Sequence, residues 1–128
     1  MIQLGRHEAR PVPSALALRF SPPQLSRDSA DYLALFPRLA AHDCAFVLFS
    51  DLRGFHLDHQ GEVAQNLAAK ASRQAFATRI RALVLMSDHP SERQRATFAS
   101  FWSIPVEVHD DISAATRAFL GFHDRLIP

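Results

Sequence analysis

The sequence contains little cysteine and glycine and has no long apolar run. Its 128 residues include one cysteine, Cys44, which excludes an internal disulfide framework. The four glycines do not form the glycine-rich loop of a Walker-type or dinucleotide-binding site, and no Gly-x-Ser-x-Gly elbow occurs. No apolar run approaches the ~20 residues that span a bilayer. The sequence therefore predicts no membrane span and no cofactor.

The charges of the sequence are nearly balanced. Lysine and arginine total 14 and aspartate and glutamate total 13, so the formal net charge is +1. This balance argues against a dedicated nucleic-acid binder, which usually has a concentrated basic surface. Residues 1–10 carry several charges and lack the apolar centre of a secretory signal, so we expect a cytoplasmic protein. The length fits a single domain over residues 1–128, large enough to fold without a metal or a disulfide.

Short apolar runs alternate with helical spacings along the chain. The runs predict strands at residues 15–20, 45–50, 82–86 and 105–108. Residues 1–14 are predicted as a further edge strand or an arm. Helical spacing of apolar residues predicts helices at residues 26–43, 62–80, 91–102 and about 112–120. Alternating strands and helices indicate an α/β fold with a mostly parallel sheet, whose first two strands are antiparallel at one edge.

Details of the predicted helices can be tested against the structure. Pro37 predicts a kink or restart near Phe36. The longest helix is expected to bury one apolar stripe, formed by Val63, Leu67, Ala71 and Ala75. Gly121 is predicted to end the last helix. Residues 121–128 then form a tail that either packs on the domain or docks on another subunit.

Charged side chains follow two of the predicted strands. Asp51 and Arg53 come after the strand at 45–50, and Asp88 and His89 follow the strand at 82–86. Because the carboxyl ends of parallel strands form the binding crevice of α/β sheets, these four residues are candidate ligand-binding residues. The alternative is that they cap helices and turns, as aspartate does routinely.

Two further features permit more than one interpretation. His56, Asp58 and His59 lie within four residues and could ligate a metal, but no other cluster completes the site, so we assign none. Trp102 shares a helix face with Phe98 and Phe101, a pattern more typical of a core. If Trp102 is instead exposed at the end of its helix, it marks an interface with a partner.

Three segments resemble a known family. The segment 46–55, FVLFSDLRGF, is similar to the apolar strand and D-L-x-G-F core of the SpoIIAA-like proteins, a branch of the STAS domains. Residues 79–88 resemble the family's third core strand, and residues 106–120 its closing strand, acidic turn and helix. The resemblance covers residues 15–120. It implies a mixed sheet of about five strands, with about four helices mainly on one side.

The resemblance also implies a bacterial signalling function. STAS proteins that regulate anti-sigma factors bind a partner kinase and are switched by phosphorylation of a serine in a D-S-S-G turn. The corresponding turn is Asp58-His59-Gln60-Gly61, in which His59 and Gln60 replace the serines. The expected protein is therefore a non-catalytic interaction module without this switch. Its candidate partner-binding residues are Asp58, His59, Gln60, Gly61 and Trp102.

Two functions remain open from the sequence. One is the regulatory module, which binds a protein partner or itself, for example as a homodimer. The other is a small-molecule-binding protein or minor enzyme that uses the crevice near Asp51, Arg53, Asp88 and His89. Neither hypothesis assigns a catalytic residue.

Overall fold

The fold is a single mixed sheet covered by helices. The computed structural model describes residues 1–6, 15–42 and 44–126. Five strands form the sheet in chain order: β1 Ile2–Arg6, β2 Ala15–Phe20, β3 Phe46–Asp51, β4 Ile80–Met86 and β5 Val106–His109. The helices are α1 Asp28–Ala40, α2 His59–Arg79, α3 Glu92–Trp102 and α4 Ile112–Leu126. The predicted α/β class is confirmed.

Four of the strands, β2 to β5, are parallel, and β1 is antiparallel to β2 at one edge. Ile2 lies opposite Phe20 in that antiparallel pair. The part of the predicted arm at residues 7–14 lies outside the described residues. Because β3 and β4 are central, both of their faces are covered, which explains their almost wholly apolar sequences.

The two faces of the sheet carry different helices. On one face, Phe46 and Leu48 of β3 pack in a core with residues of α1, α2 and α3. On the other face, Val47 and Phe49 pack against α4, and the rings of Phe49 and Phe119 meet edge to face at 5.4 Å. Three helices thus cover one face and one helix covers the other. The alternation of β3 side chains between these cores follows from the two-residue period of a strand.

An aromatic cluster fills the core beneath the three helices. The ring centroids of Phe76 and Trp102 are 4.8 Å apart, and Phe36 lies 6.2 Å from Trp102. Trp102 is only 4% exposed. Trp102 is therefore a core residue, and it does not have the exposed position on which its candidate contact with a partner depended. Its helical spacing with Phe98 placed it on the face that packs against the other helices.

The apolar stripe predicted to be buried on α2 is largely exposed, and a different face of this helix is buried. Val63 is 46% exposed and Leu67 is 62% exposed, whereas Ala69, Ser72 and Phe76 are buried. We attribute the difference to residue size, because two small residues let α2 approach its neighbours while Phe76 fills the space between them. The helix also begins at His59, ahead of the predicted residue 62, because Asp58 caps it.

Two predicted interruptions of helices are absent from the described residues. Helix α1 continues through Pro37 without a restart, and Pro37 itself is exposed. Helix α4 continues past Gly121 to Leu126 and buries Phe119 and Phe122. Most of the predicted tail is therefore the last part of a packed helix, and residues 127 and 128 lie outside the described chain. No helix in the described parts of the chain is long and apolar enough to cross a membrane.

Candidate ligand-binding cleft

A cleft of about 370 Å³ opens at the carboxyl ends of β3 and β4. Its walls come from the loop after β3, the first turns of α2, the loop after β4 and helix α3. Parallel strands end together at this edge and their chains diverge into the following helices, which leaves a crevice between them. The apolar and aromatic lining residues are Tyr32, Leu52, Phe55, Leu57, Leu85, Met86 and Phe98. The polar lining residues are His56, Glu62, Gln65, Ser87, Asp88, His89 and Gln94.

Gly54 and Asp88 join the two strand ends. Gly54 has a φ of +81°, a backbone conformation that glycine adopts without the strain of a side chain. Its N–H donates a 2.7 Å hydrogen bond to Oδ2 of Asp88. The loop after β3 is thereby fixed to the loop after β4, and one wall of the cleft is held in place.

The next part of this wall is held by Gln24. Its side-chain amide donates to the carbonyl of His56 at 2.9 Å and accepts from the N–H of His56 at 3.0 Å. The backbone of His56 is therefore fixed on both sides, while its side chain is exposed beside the cleft. The loop after β3 thus has a defined course from Gly54 to His56.

Asp51 and Arg53 form a pair that does not line the cleft. Nε and Nη2 of Arg53 donate to the two carboxylate oxygens of Asp51 at 2.9 Å and 2.8 Å. Burial of the Asp51 carboxyl opposes its charge, but the hydrogen bonds and charge of Arg53 outweigh burial and lower the pKa of Asp51. The same hydrogen bonds raise the pKa of Arg53. These two candidate residues are occupied by each other, which supports the alternative structural interpretation for them.

Asp88 and His89 do line the cleft, as does Ser87 between them and β4. Asp88 has one oxygen engaged by Gly54. The N–H of His89 donates to Oγ of Ser87 at 3.3 Å, and both Asp88 and His89 are exposed. The structure thus separates the four candidate ligand-binding residues into two that face the cleft and two that do not.

Gln94 carries the most unusual polar atom of the cleft. Its Oε1 is buried and has no hydrogen-bond partner among the described residues. A buried acceptor without a partner costs about 1–3 kcal/mol. The spacing from Ser91 to Gln94 predicts a capping box, in which Gln94 would bond back to the N–H of Ser91. Only half of that motif forms. Ser91 Oγ accepts a hydrogen bond from the Gln94 N–H at 3.1 Å, but the Gln94 side chain lines the cleft and its Oε1 does not bond back to Ser91.

Tyr32 and Gln65 form the polar contact between α1 and α2 at the cleft. The Tyr32 hydroxyl donates a 2.6 Å hydrogen bond to Oε1 of Gln65, and burial raises the pKa of Tyr32. The Tyr32 ring also packs on Phe55, with centroids 5.1 Å apart. Aromatic rings and polar side chains therefore lie side by side in this part of the lining.

The candidate partner-binding turn lies at the start of α2. Asp58 Oδ1 accepts from the N–H of Gly61 at 2.7 Å and caps the helix. A Cβ at Gly61 would come within 3.0 Å of the Leu57 side chain, so this position favours glycine. His59 and Gln60 are exposed in the first turn. Asp58 and Gly61 thus have structural functions in this turn, and the side chains of His59 and Gln60 are exposed beside them.

No group of three or more His, Cys, Asp or Glu side chains in the described ranges is placed to hold a metal ion.

Sequence reasoning missed several residues of the cleft, and their positions explain why. Glu62, Gln65 and Gln94 face it only because of how α2 and α3 are rotated about their axes. One local feature of the sequence could have identified Gln94. It stands three residues after Ser91, which places it in the first turn of α3, beside the loop that follows β4.

Comparisons with known proteins add no relative: no family model matches the chain, and no curated protein or solved structure was found to be similar to it.

Proposed function

We propose that the protein binds a small organic molecule in the cleft at the ends of β3 and β4. The side chain of Gln94, which lines the cleft, carries this proposal. Its Oε1 is shielded from solvent and has no hydrogen-bond partner among the described residues, and a rotation of the amide toward a ligand donor would satisfy it. The volume of about 370 Å³ lies in the range of small-molecule sites. Half of the lining side chains are apolar or aromatic, and the other half supply polar groups of the kind that orient a ligand in such sites.

The test compares binding in two glutamine variants. A fragment library is screened against the protein by ligand-observed NMR, and each hit is titrated against Gln94→Met and Gln74→Met. Gln94→Met keeps the size of the side chain and removes the acceptor in the cleft. Gln74→Met is the matched control, since Gln74 is exposed on α2 and does not line the cleft. We expect Gln94→Met to weaken binding about tenfold, the loss of roughly one hydrogen bond, and Gln74→Met to leave it unchanged.

Two results would contradict the proposal. One is the absence of any fragment that binds the original protein. The other is a set of hits that bind Gln94→Met as tightly as the original protein, which would place binding elsewhere on the surface.

A second candidate function is the non-catalytic STAS-like module, which binds a protein partner through α2. In its favour, the fold is α/β, with one antiparallel edge strand and three helices on one face of the sheet. The specific observation is an exposed face of α2 on which Val63 and Leu67 lie one turn apart, next to His59 and Gln60. Lys70 is exposed on the same side. This surface fits a partner helix with an apolar stripe and a carboxylate opposite Lys70.

The interaction is tested with a pair of surface variants. Leu67→Asp places a charge in the exposed stripe of α2, and Leu120→Asp makes the same change on α4, where Leu120 is 53% exposed. Partner capture from the host and the molar mass in solution are measured for both. We expect Leu67→Asp to abolish capture of one stoichiometric protein that Leu120→Asp still captures, because a charge in an apolar contact is poorly tolerated.

Either of two other outcomes would contradict the proposal that the exposed face of α2 binds a different protein. Equal capture by both variants would show that α2 is not the contact. A homodimer that Leu67→Asp dissociates would show that the stripe binds a second copy of the chain.

A further inference from the structure

The geometry points to a ligand class for the cleft: an organic cation with an apolar or aromatic body, whose N–H groups donate to Gln94 and whose charge faces Glu62. This inference rests on the proposed ligand-binding function and specifies it. It is carried by the charges and hydrogen-bonding capacity of the lining residues.

Acidic groups dominate the charged lining of the cleft. The described lining residues include the carboxylates of Glu62 and Asp88 and the imidazole rings of His56 and His89, and they contain neither lysine nor arginine. Glu62 is exposed in the first turn of α2, and no ion pair involves it among the described residues. Asp88 is less available, because one of its oxygens accepts from Gly54 and its charge interacts with Arg53. Glu62 is therefore the carboxylate best placed to attract a cation.

Arg53 and the amino ends of α2 and α3, which carry positive potential near the cleft, are partly neutralised. Arg53 is held by Asp51 through two side-chain hydrogen bonds and does not line the cleft. The amino ends of α2 and α3 would favour an anion. Their caps, Asp58 and Ser91, already accept from the N–H groups of Gly61 and Gln94. An anion in the cleft would therefore meet two carboxylates, and the described lining residues include no lysine or arginine to balance it.

The remaining polar and aromatic groups suit a donor on an apolar body. Oε1 of Gln94 can only accept a hydrogen bond, so it favours a ligand N–H or O–H once the amide turns into the cleft. The rings of Tyr32, Phe55 and Phe98 line the same space and offer surfaces for an apolar group. Such rings also attract a cation that lies over their faces. A protonated amine on an aromatic body can donate to Gln94, pack on the rings and place its charge near Glu62. An aromatic carboxylate can only pack on the rings.

The inference is tested with three probes of similar shape and different charge: phenethylamine, the neutral phenylpropanol, and phenylpropionate. Each is titrated into the protein, and amide chemical shifts at Gly54, Ser87 and Gln94 report occupancy of the cleft. We expect phenethylamine to bind with a Kd on the order of 1 mM, as small fragments do. We expect it to bind at least about tenfold more tightly than phenylpropionate, with phenylpropanol between them.

A pair of glutamate variants tests the position of the charge. Glu62→Gln should reduce the preference for the amine over the carboxylate by about fivefold to tenfold. Glu92→Gln is the matched control, since it removes the same charge from the first turn of α3 and Glu92 does not line the cleft. We expect it to leave the preference unchanged. Both glutamates are exposed, so both variants should remain folded.

The outcomes separate the inference from the function on which it rests. Phenylpropionate binding in the cleft as tightly as phenethylamine would overturn the inference and leave the proposed ligand-binding function in place. An amine preference that Glu62→Gln and Glu92→Gln reduce equally would also overturn it. If none of the three probes shifts the amides of the cleft, the proposed function is contradicted as well.

Discussion

Two polar regions lie at the same edge of the sheet and differ in how their groups are satisfied. At the end of β3, both carboxylate oxygens of Asp51 accept hydrogen bonds from Arg53. In the cleft beside it, Oε1 of Gln94 is buried without a partner in the described chain, and Glu62 has no ion pair there. A pair that satisfies itself stabilises the fold, whereas an unsatisfied group is a candidate for ligand binding.

The contrast matters because both regions follow strands and both contain charged residues. The position of a residue after a strand predicted its place at this edge, and it did so for all four candidate residues. It could not separate structural from binding residues, since that depends on which hydrogen bonds form. Asp88 illustrates an intermediate case, because it fixes the loop of Gly54 and still faces the cleft.

The largest effect on stability is expected at the boundary between the core and the cleft. Tyr32→Phe removes the hydroxyl that donates to Gln65 and leaves a carbonyl oxygen without its donor. We expect the free energy of unfolding to fall by about 1–2 kcal/mol, measured by urea denaturation. Thr78→Val removes an exposed hydroxyl from the same helix as Gln65 and should change stability by less than about 0.5 kcal/mol. Equal losses in both variants would show that the contact between Tyr32 and Gln65 adds no stability.

A smaller effect is expected from breaking the Asp51–Arg53 pair. Asp51→Asn should lower the free energy of unfolding by about 1 kcal/mol at neutral pH, because Arg53 is partly exposed and can be solvated. It should leave fragment binding in the cleft unchanged, since neither residue lines it. Loss of fragment binding with unchanged stability would show that the Asp51–Arg53 pair contributes to binding and not to the stability of the fold.

The same pair predicts a pH dependence of stability. The pKa of Asp51 is lowered from its ordinary value of 3.8 in the folded protein. Its contribution is therefore complete above that value and is lost as the pH falls through the lower folded pKa. Denaturation at a series of acidic pH values should show a smaller loss of stability for Asp51→Asn than for the original protein. Asp110→Asn, which changes an exposed aspartate outside the pair, should retain the original dependence.

The fold was more predictable than the cleft. The apolar runs of β3 and β4 identify these strands closely, because a strand covered on both faces needs apolar residues at every position. The orientation of α2 was not predictable by the same means. Val63 and Leu67 suggest one buried face, but Phe76 with the small residues Ala69 and Ser72 defines another, and tertiary packing decides between them.

The cleft depends on this same packing. His89 and Asp88 could be identified because they follow a strand directly. Gln94 and Glu62 could not, since a helix residue faces the cleft only after the rotation of the helix is fixed. The aromatic core shows the opposite case: spacing within α3 grouped Trp102 with Phe98, and the structure buries Trp102.

The assignment of Gln94 to ligand binding is tested most directly by the free energy of unfolding of Gln94→Met, measured together with the binding of a fragment hit. If Gln94 is retained for a ligand, replacing its unsatisfied acceptor with an apolar side chain of similar size should stabilise the protein by about 0.5–1 kcal/mol. Fragment binding in the cleft should fall about tenfold in the same variant. A loss of stability with fragment binding retained would contradict the account, because Gln94 would then be a structural residue.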